Sequence, residues 1–407
     1  TVFLDTDNVW KIRYTPTVVL GPTGQDFIQY RLNNVYPNLA NCLPNTPLGC
    51  CDTACVTIKF CPCPERPRND CASLLLYPEV VMGGGSKTFL TITDACCEGN
   101  TQNTRVEFVF VNSTNCERTH KDVILTPCDQ LSIDAAALFG VSGTASGYVY
   151  AFAKSATTNA ANPAGIPIVW NHLIGETLRV DGPSGLSYAL NPVAFRAYGT
   201  AEGAFNDDDN DGIRDFNATD ETGVPSPPAN WEYDPIPEAI LIPRFVGQGA
   251  EGVGSSLVLI GLSGGQKFTT VVRIQRWNDS EDLVANNHTF YCWTKQPLST
   301  IVPSATQGNL VIPTDDAAEI VGWPQPPAGA PRLSAGWLRI DGVTATSSVV
   351  PNEVIQNPAI YAVLIEVRDG RVVADLPYEE CSQVNGSLLP VDPLGDGDPT
   401  PANNDNQ

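Results

Sequence analysis

Asp207, Asp208, Asp209, Asn210, Asp211, Gly212, Ile213, Arg214 and Asp215 follow one another without a break. Oxygen-bearing residues at alternate positions, with glycine at the sixth for a sharp turn and a backbone carbonyl after it, are what a calcium loop requires. Asp207, Asp209 and Asp211 would supply carboxylates, Ile213 its carbonyl, and Asp215 a direct or water-mediated ligand. Ala218 stands where an EF-hand places its bidentate glutamate, with Asp220 and Glu221 a little further on. One such loop predicts a structural Ca2+ that stiffens a linker, against the plainer reading of a solvated acidic segment.

Other strings mimic catalytic motifs without their context. Gly261-Leu262-Ser263-Gly264-Gly265 has the glycine spacing of a hydrolase elbow, but that chemistry needs a helix after the serine, and Phe268 to Ile274 is a strand pattern. A hairpin turn is expected there. His120, His172 and His288 stand apart from one another, which argues against a zinc hydrolase. Gly83-Gly84-Gly85-Ser86 lacks the Gly-Lys-Ser/Thr ending of a phosphate loop, and no Cys-x-x-Cys-His occurs for covalent haem. No catalytic residue is assigned. A glycosidase carboxylate pair leaves no local signature, so a secreted hydrolase stands as the third functional reading.

The chain has 407 residues, with 23 Lys+Arg against 45 Asp+Glu, a formal net charge of -22. Phosphate is repelled by such a balance, so neither nucleic acid nor an anionic membrane is an expected partner. An apolar share of 42% builds real cores, while scarce Met and Lys beside 34 Gly and 34 Pro indicate an all-β chain. No apolar run reaches the roughly 18 to 20 residues of a membrane span. Ser256 to Leu262 and Ile360 to Val367, the best candidates, have strand length.

Eleven of the thirteen cysteines crowd into one stretch: Cys42, Cys50, Cys51, Cys55, Cys61, Cys63, Cys71, Cys96, Cys97, Cys116 and Cys128. Cys292 and Cys381 lie apart. Zinc would favour Cys-x2-Cys knuckles, which are absent, so disulfides and an oxidising, extracellular compartment are expected. Pairing of Cys292 with Cys381 would leave one odd thiol among the eleven, either buried or shared between subunits. The start at Thr1 reads as a mature product whose signal peptide has been removed. Sequons begin at Asn112, Asn217, Asn278, Asn287 and Asn385, permissive of glycosylation and no more.

Strand-length runs and turn residues divide the chain into a β-rich N-terminal arm and cysteine-rich region (1–80), a first β-sandwich (81–204), an acidic, Pro-rich calcium-binding linker (205–240), a second β-sandwich (241–388) and a flexible acidic tail (389–407). Thr1 to Asp5, Lys11 to Leu20 and Asp26 to Tyr36 are the arm's strand-like runs, whereas Cys42 to Cys71, with Pro62, Pro64 and Pro67, has little room for regular structure. The Val111 to Cys116 stretch and the Trp277 to Asp282 stretch occupy similar places, so a tandem duplication of Ig-like sandwiches is predicted.

The calcium loop resembles the calcium repeats of the thrombospondin type 3 kind over about a dozen residues. Thr88 to Thr93, the stretch ending at Cys116, Leu125-Thr126-Pro127, Asn171 to Glu176 and Trp277 to Trp293 resemble a group of uncharacterised secreted bacterial proteins with tandem sandwich-like domains. That resemblance implies export and no particular activity. The leading expectation is an extracellular structural or surface protein, a self-assembling filament, sheath or adhesive-layer subunit whose partner is a second copy of itself. A monomeric glycan-binding module is the alternative, with Trp170, Trp231, Trp277, Trp293, Trp323 and Trp337 as the pool for sugar stacking and core packing as the plainer use of each.

Overall fold

The computed structural model describes residues 2–4, 10–12, 25–33, 51–59, 70–96, 103–156, 165–198, 202–206, 214–216, 232–246, 253–263, 268–277, 283–301, 335–348, 354–368, 371–380, 383–384 and 386–388. They form an all-β protein in two compact units, Thr1–Pro62 and Cys63–Gln407.

In the smaller unit Val2–Leu4 pairs with Trp10–Ile12, and Gln25–Asn33 pairs along its whole length with Cys51–Lys59. The second pairing corrects the expectation that the cysteine-rich stretch lacks regular structure. Its prolines, Pro44, Pro47, Pro62, Pro64 and Pro67, all fall outside Cys51–Lys59, and Thr53, Val56, Thr57 and Ile58 supply the β-branched side chains that suit a pleated surface.

Among the described residues the larger unit contains four large antiparallel sheets and two two-stranded ones. A five-stranded sheet runs in the order Val193–Phe195, Leu74–Met82, Ala145–Ser155, Thr104–Asn112, Arg118–Leu125. A four-stranded sheet runs Leu186–Leu190, Leu173–Asp181, Ser86–Asp94, Gln130–Asp134. In the second half a six-stranded sheet is built on the path Tyr378–Glu379, Ala239–Val246, Ala335–Ser347, Phe268–Trp277, Leu283–Phe290, with Val354–Gln356 added against Ala335–Ser347. The other four-stranded sheet runs Arg371–Asp375, Ile360–Arg368, Val253–Gly261, Trp293–Pro297. Taken in chain order, every strand of the first half has a counterpart at the same place in the second, and a short helix follows the fifth strand of each, Ala135–Phe139 and Leu298–Ile301.

Burial patterns tell which sheet faces are covered. Phe268–Trp277 and Ser86–Asp94 alternate strictly between buried and partly open positions, as strands with one solvated face do. Leu74–Met82 and Ala145–Ser155 are buried almost throughout. Leu75, Tyr77 and Val80 pack with Leu90, Ile92 and Leu173 of the first four-stranded sheet, whereas Leu74, Leu76, Val109, Tyr150 and Phe152, from the opposite face, pack with Val258, Ile260, Tyr361 and Val363 of the second half. Leu257 and Leu259 are also fully buried, so the second four-stranded sheet is covered on both sides. The five-stranded sheet therefore packs on the first four-stranded sheet with one face and on the second half with the other, and one core runs across the junction between the halves. A leucine truncated to alanine in these inner layers is expected to cost about 2–5 kcal/mol.

Two expected boundaries move. Leu74–Met82 is a central strand of the first half, although it was placed mostly before the boundary at residue 81. The supposed linker is woven into the body: Arg214–Phe216 pairs with Gly386–Leu388, Ile236–Pro237 pairs with Gln383–Val384, and Phe216, Tyr233 and Ile236 are fully buried in the shared core. Its acidic, Pro-rich composition hides aromatic anchors that leave no periodic pattern.

Candidate functional site

The seam between the halves concentrates the unusual chemistry. Cys116 sits in the turn after Thr104–Asn112 with φ 57, and Cys292 in the turn after Leu283–Phe290. They form a buried disulfide with Cα atoms 6.0 Å apart, across 176 residues of sequence. This corrects the pairing of Cys292 with Cys381. Two turns far apart in sequence meet because the five-stranded sheet packs on the second four-stranded one, a relation that spacing cannot reveal.

Glu79 lies beside this seam, 3% exposed. Lys295 Nζ approaches its Oε1 at 2.7 Å from the second half, Arg179 Nε lies 3.7 Å away, and the Tyr188 hydroxyl donates to its Oε2. Burial and then the Glu79 charge push the Tyr188 phenol far above its usual range, so it stays a donor. One residue earlier, the Pro78 carbonyl accepts a 2.9 Å bond from Trp293 Nε1. A carboxylate this buried persists only because cations and a hydroxyl replace its water. On the former linker, the Arg214 guanidinium lies 5.4 Å from the Phe152 ring and Nη1 donates to the Asn206 carbonyl at 3.2 Å, which carries the Arg214–Phe216 strand into the core.

A second polar group occupies the five-stranded sheet. Glu107 accepts from Lys154 Nζ at 2.5 Å and lies 2.7 Å from His120 Nδ1, while Asp122 lies 3.9 Å from Lys154 and 3.5 Å from Arg105. Burial alone would raise the Glu107 carboxyl, but His120 and Lys154 hold it below its usual range. Asp122 moves the opposite way, raised by burial. These cross-strand partners neutralise one another and include no activated nucleophile.

Cys96 is a free thiol near a His172–Glu202 pair. Its burial and the neighbouring Asp94 and Glu202 charges push the thiol up, the reverse of what a nucleophilic cysteine needs. Asp94 Oδ2 accepts from Thr104 and Trp170 at 3.0 and 3.2 Å, and its Oδ1 accepts the Cys96 N–H at 3.1 Å.

The remaining sequence candidates fall out as follows. Ser263 is buried and its Oγ accepts the Ala359 N–H at 2.9 Å. Val253–Gly261 before it and Phe268–Trp277 after it belong to different sheets, so the connection crosses between layers and is not the expected hairpin. Gly83, Gly84 and Gly85 have φ of 76, 62 and 84°, and a Cβ on Gly83 would lie 2.2 Å from the Gly143 carbonyl oxygen. They make a crowded turn that only glycine fits. His288 is half-buried, which lowers its pKa. Asp207, Asp209, Asp211 and Ile213 lie outside the described residues, and Asp215 stands in the strand opposite Ser387. Among the described residues no group of three or more His, Cys, Asp or Glu side chains is placed to hold a metal. Cys42, Cys50, Cys61, Cys63, Cys97 and Cys381 also lie outside them, Cys51 and Cys55 are placed by backbone alone, Cys71 follows Asp70 at the start of the larger unit, and Cys128 is disulfide-bonded. Trp170 and Trp293 are core, Trp231 and Trp323 lie outside the described residues, and Trp277 stacks on Trp337 with centroids 4.0 Å apart and planes 6° off parallel.

No family model matches the chain, and no curated protein matches it. The crystal structure of Thermotoga maritima 1070 is similar over 33% of this chain and 97% of its own length, at 13% identity and a TM-score of 0.23. A likeness of that size carries no argument about fold or function. No helix among the described residues is long and apolar enough to cross a membrane.

Proposed function

We propose that this is an extracellular structural or surface protein, a disulfide-hardened building block of a filament, sheath or adhesive layer, made of two duplicated Ig-like sandwiches that share a core. The buried Cys116–Cys292 bond carries the reading. It joins the two halves at a seam already closed by apolar packing and by the Glu79–Lys295 pair, and such a bond belongs to an oxidising compartment. A body so closed gains resistance to unfolding at the expense of hinge motion between its halves. The polar clusters fit this use, since each is a mutually satisfied network and lacks an activated nucleophile. In this reading the Asp207 to Asp215 loop takes one structural Ca2+ and stiffens the segment that Phe216 and Tyr233 anchor.

Electron microscopy of native material with antibody labelling tests the proposal: label on an extracellular polymer or layer is the expected result, and label confined to the cell interior contradicts it. The competing reading, a glycan-binding module, draws on the Trp277–Trp337 stack. A glycan array on the purified chain separates the two.

A further inference from the structure

Lys154 Nζ is enclosed between two carboxyl groups. It donates to Glu107 Oε2 at 2.5 Å and lies 3.9 Å from Asp122 Oδ1. Lys87 and Lys295, by contrast, meet one carboxylate each. Phe152 stands opposite Glu107, with Lys154 two residues further along the same face, and Glu107 stands opposite Asp122. The three groups therefore come from the neighbouring strands Ala145–Ser155, Thr104–Asn112 and Arg118–Leu125. We propose that Lys154 and Asp122 condense to an intramolecular amide, with Glu107 carrying the protons, so that the folded chain closes a covalent bridge across its five-stranded sheet. The inference goes beyond the building-block reading and holds whatever the body is used for.

The step balances within these side chains. Glu107 Oε2 takes a proton from the Lys154 ammonium and passes it to Asp122 Oδ1, and the neutral amine then attacks the carboxyl carbon. The C–N bond forms, a second proton follows the same route, and the C–Oδ1 bond breaks with its electron pair leaving on oxygen. Of the three ammonium protons one stays on the amide nitrogen and two leave on Oδ1 as water, so Glu107 ends as it began. Oδ2 becomes the amide oxygen. Arg105 Nη1 lies 3.5 Å from it and faces the negative charge that develops there. Burial raises the Asp122 carboxyl, which eases the first protonation.

The surroundings suit a bond made once. Glu107 and Lys154 are 3% and 4% exposed. Gly165 to Pro167 runs beside the lysine: a Cβ on Gly165 would lie 3.6 Å from Lys154 Cε, and Pro167 bridges Lys154. Poor hydration of the charged groups favours their conversion to a neutral amide. Asp122, on the edge strand, is more open and gives the released water a way out. Lys154 rests as a donor to Glu107, so no nucleophile is held ready. A reaction performed once per molecule needs the neutral amine only in passing, because well-oriented groups reach effective molarities of about 10⁵–10⁸ M. The bridge ties the edge strand Arg118–Leu125 to the inner strand Ala145–Ser155, in addition to the hydrogen bonds that join each of them to Thr104–Asn112.

Mass spectrometry of the purified, folded full chain, reduced and denatured only for the measurement, tests this. Wild type should be one water lighter than its sequence, and digestion should give one branched peptide that joins Asp122 to Lys154. Glu107→Gln, shown to be folded by its near-UV spectrum, should keep its full mass and release the two peptides separately. Asp122→Asn should end one ammonia lighter, because the amine then displaces the side-chain amide from the same carbon. A folded wild type at full mass, with Lys154 open to an amine reagent after denaturation, overturns the proposal and leaves an ordinary buried ion pair. So does a lost water with Lys154 unlinked, or a Glu107→Gln variant that links as fast as wild type. Mapping of Cys116 and Cys292 reads the seam independently, so a failed bridge leaves the building-block reading standing.

Discussion

Lys295 Nζ lies 2.7 Å from Glu79 Oε1 although the two residues are 216 positions apart and belong to different halves of the duplicated body. The pair makes the seam selective as well as apolar, because Glu79 without Lys295 would keep a buried charge with one cation fewer. Glu79→Gln and Lys295→Met should each lower stability, with a coupling of roughly 0.5–3 kcal/mol in the double-mutant cycle. Urea titrations of the four chains check it, and strict additivity would remove the ion pair from the account of the seam.

Acid should weaken the body through Glu107. Its folded carboxyl is held below the usual range by His120 and Lys154 against the effect of burial, so its contribution is complete above the unfolded pKa of about 4.3 and is lost as pH falls through the lower folded value. Asp181, held low by Ser184 and Ser86, acts in the same direction. Melting temperature should therefore fall below about pH 4.3, and Glu107→Gln should flatten part of that fall. An unchanged acid limb in the variant would mean that the cluster does not couple to folding.

Which strands are covered on both faces is partly written in the residues. Ser256 to Leu262 and Ile360 to Val367 drew notice as continuous apolar runs, and both fall in the sheet covered on two sides, where alternation has no purpose. Phe268–Trp277 alternates because one face is open. The seam could not be read this way. Glu79, Lys295, Cys116 and Cys292 meet only after the two halves have packed together, and no spacing along the chain encodes that meeting. Phe216 and Tyr233 were hidden for another reason: isolated aromatics in an acidic, Pro-rich stretch look like linker residues until the core they enter is known.

Gly83 offers a test of backbone crowding at the first crossing between layers. Gly83→Ala places a Cβ 2.2 Å from the Gly143 carbonyl oxygen at a φ of 76°, so a loss of about 1–3 kcal/mol is expected from strain alone. Thermal unfolding of the variant measures it, with Gly185→Ala as comparison, since that glycine has φ 68° but nothing within 4 Å. Equal losses would show that the left-handed conformation and not the close approach sets the cost.

Calcium should act on the whole larger unit because the segment after the loop is anchored in the core by Phe216 and Tyr233. Saturating calcium is expected to raise the melting temperature of the wild-type chain, with about 2.7 kcal/mol gained at a hundredfold excess over Kd. Asp209→Ala should abolish the rise. The same melting temperature with calcium and with chelator would remove the ion from the proposed function.

Non-reducing peptide mapping of native material, with free thiols alkylated before digestion, tests the central claim most directly. A disulfide-closed extracellular body predicts a cross-linked peptide pair containing Cys116 and Cys292, and no alkylation at either residue. Recovery of both cysteines as alkylated thiols, or of Cys292 joined to Cys381, would contradict it.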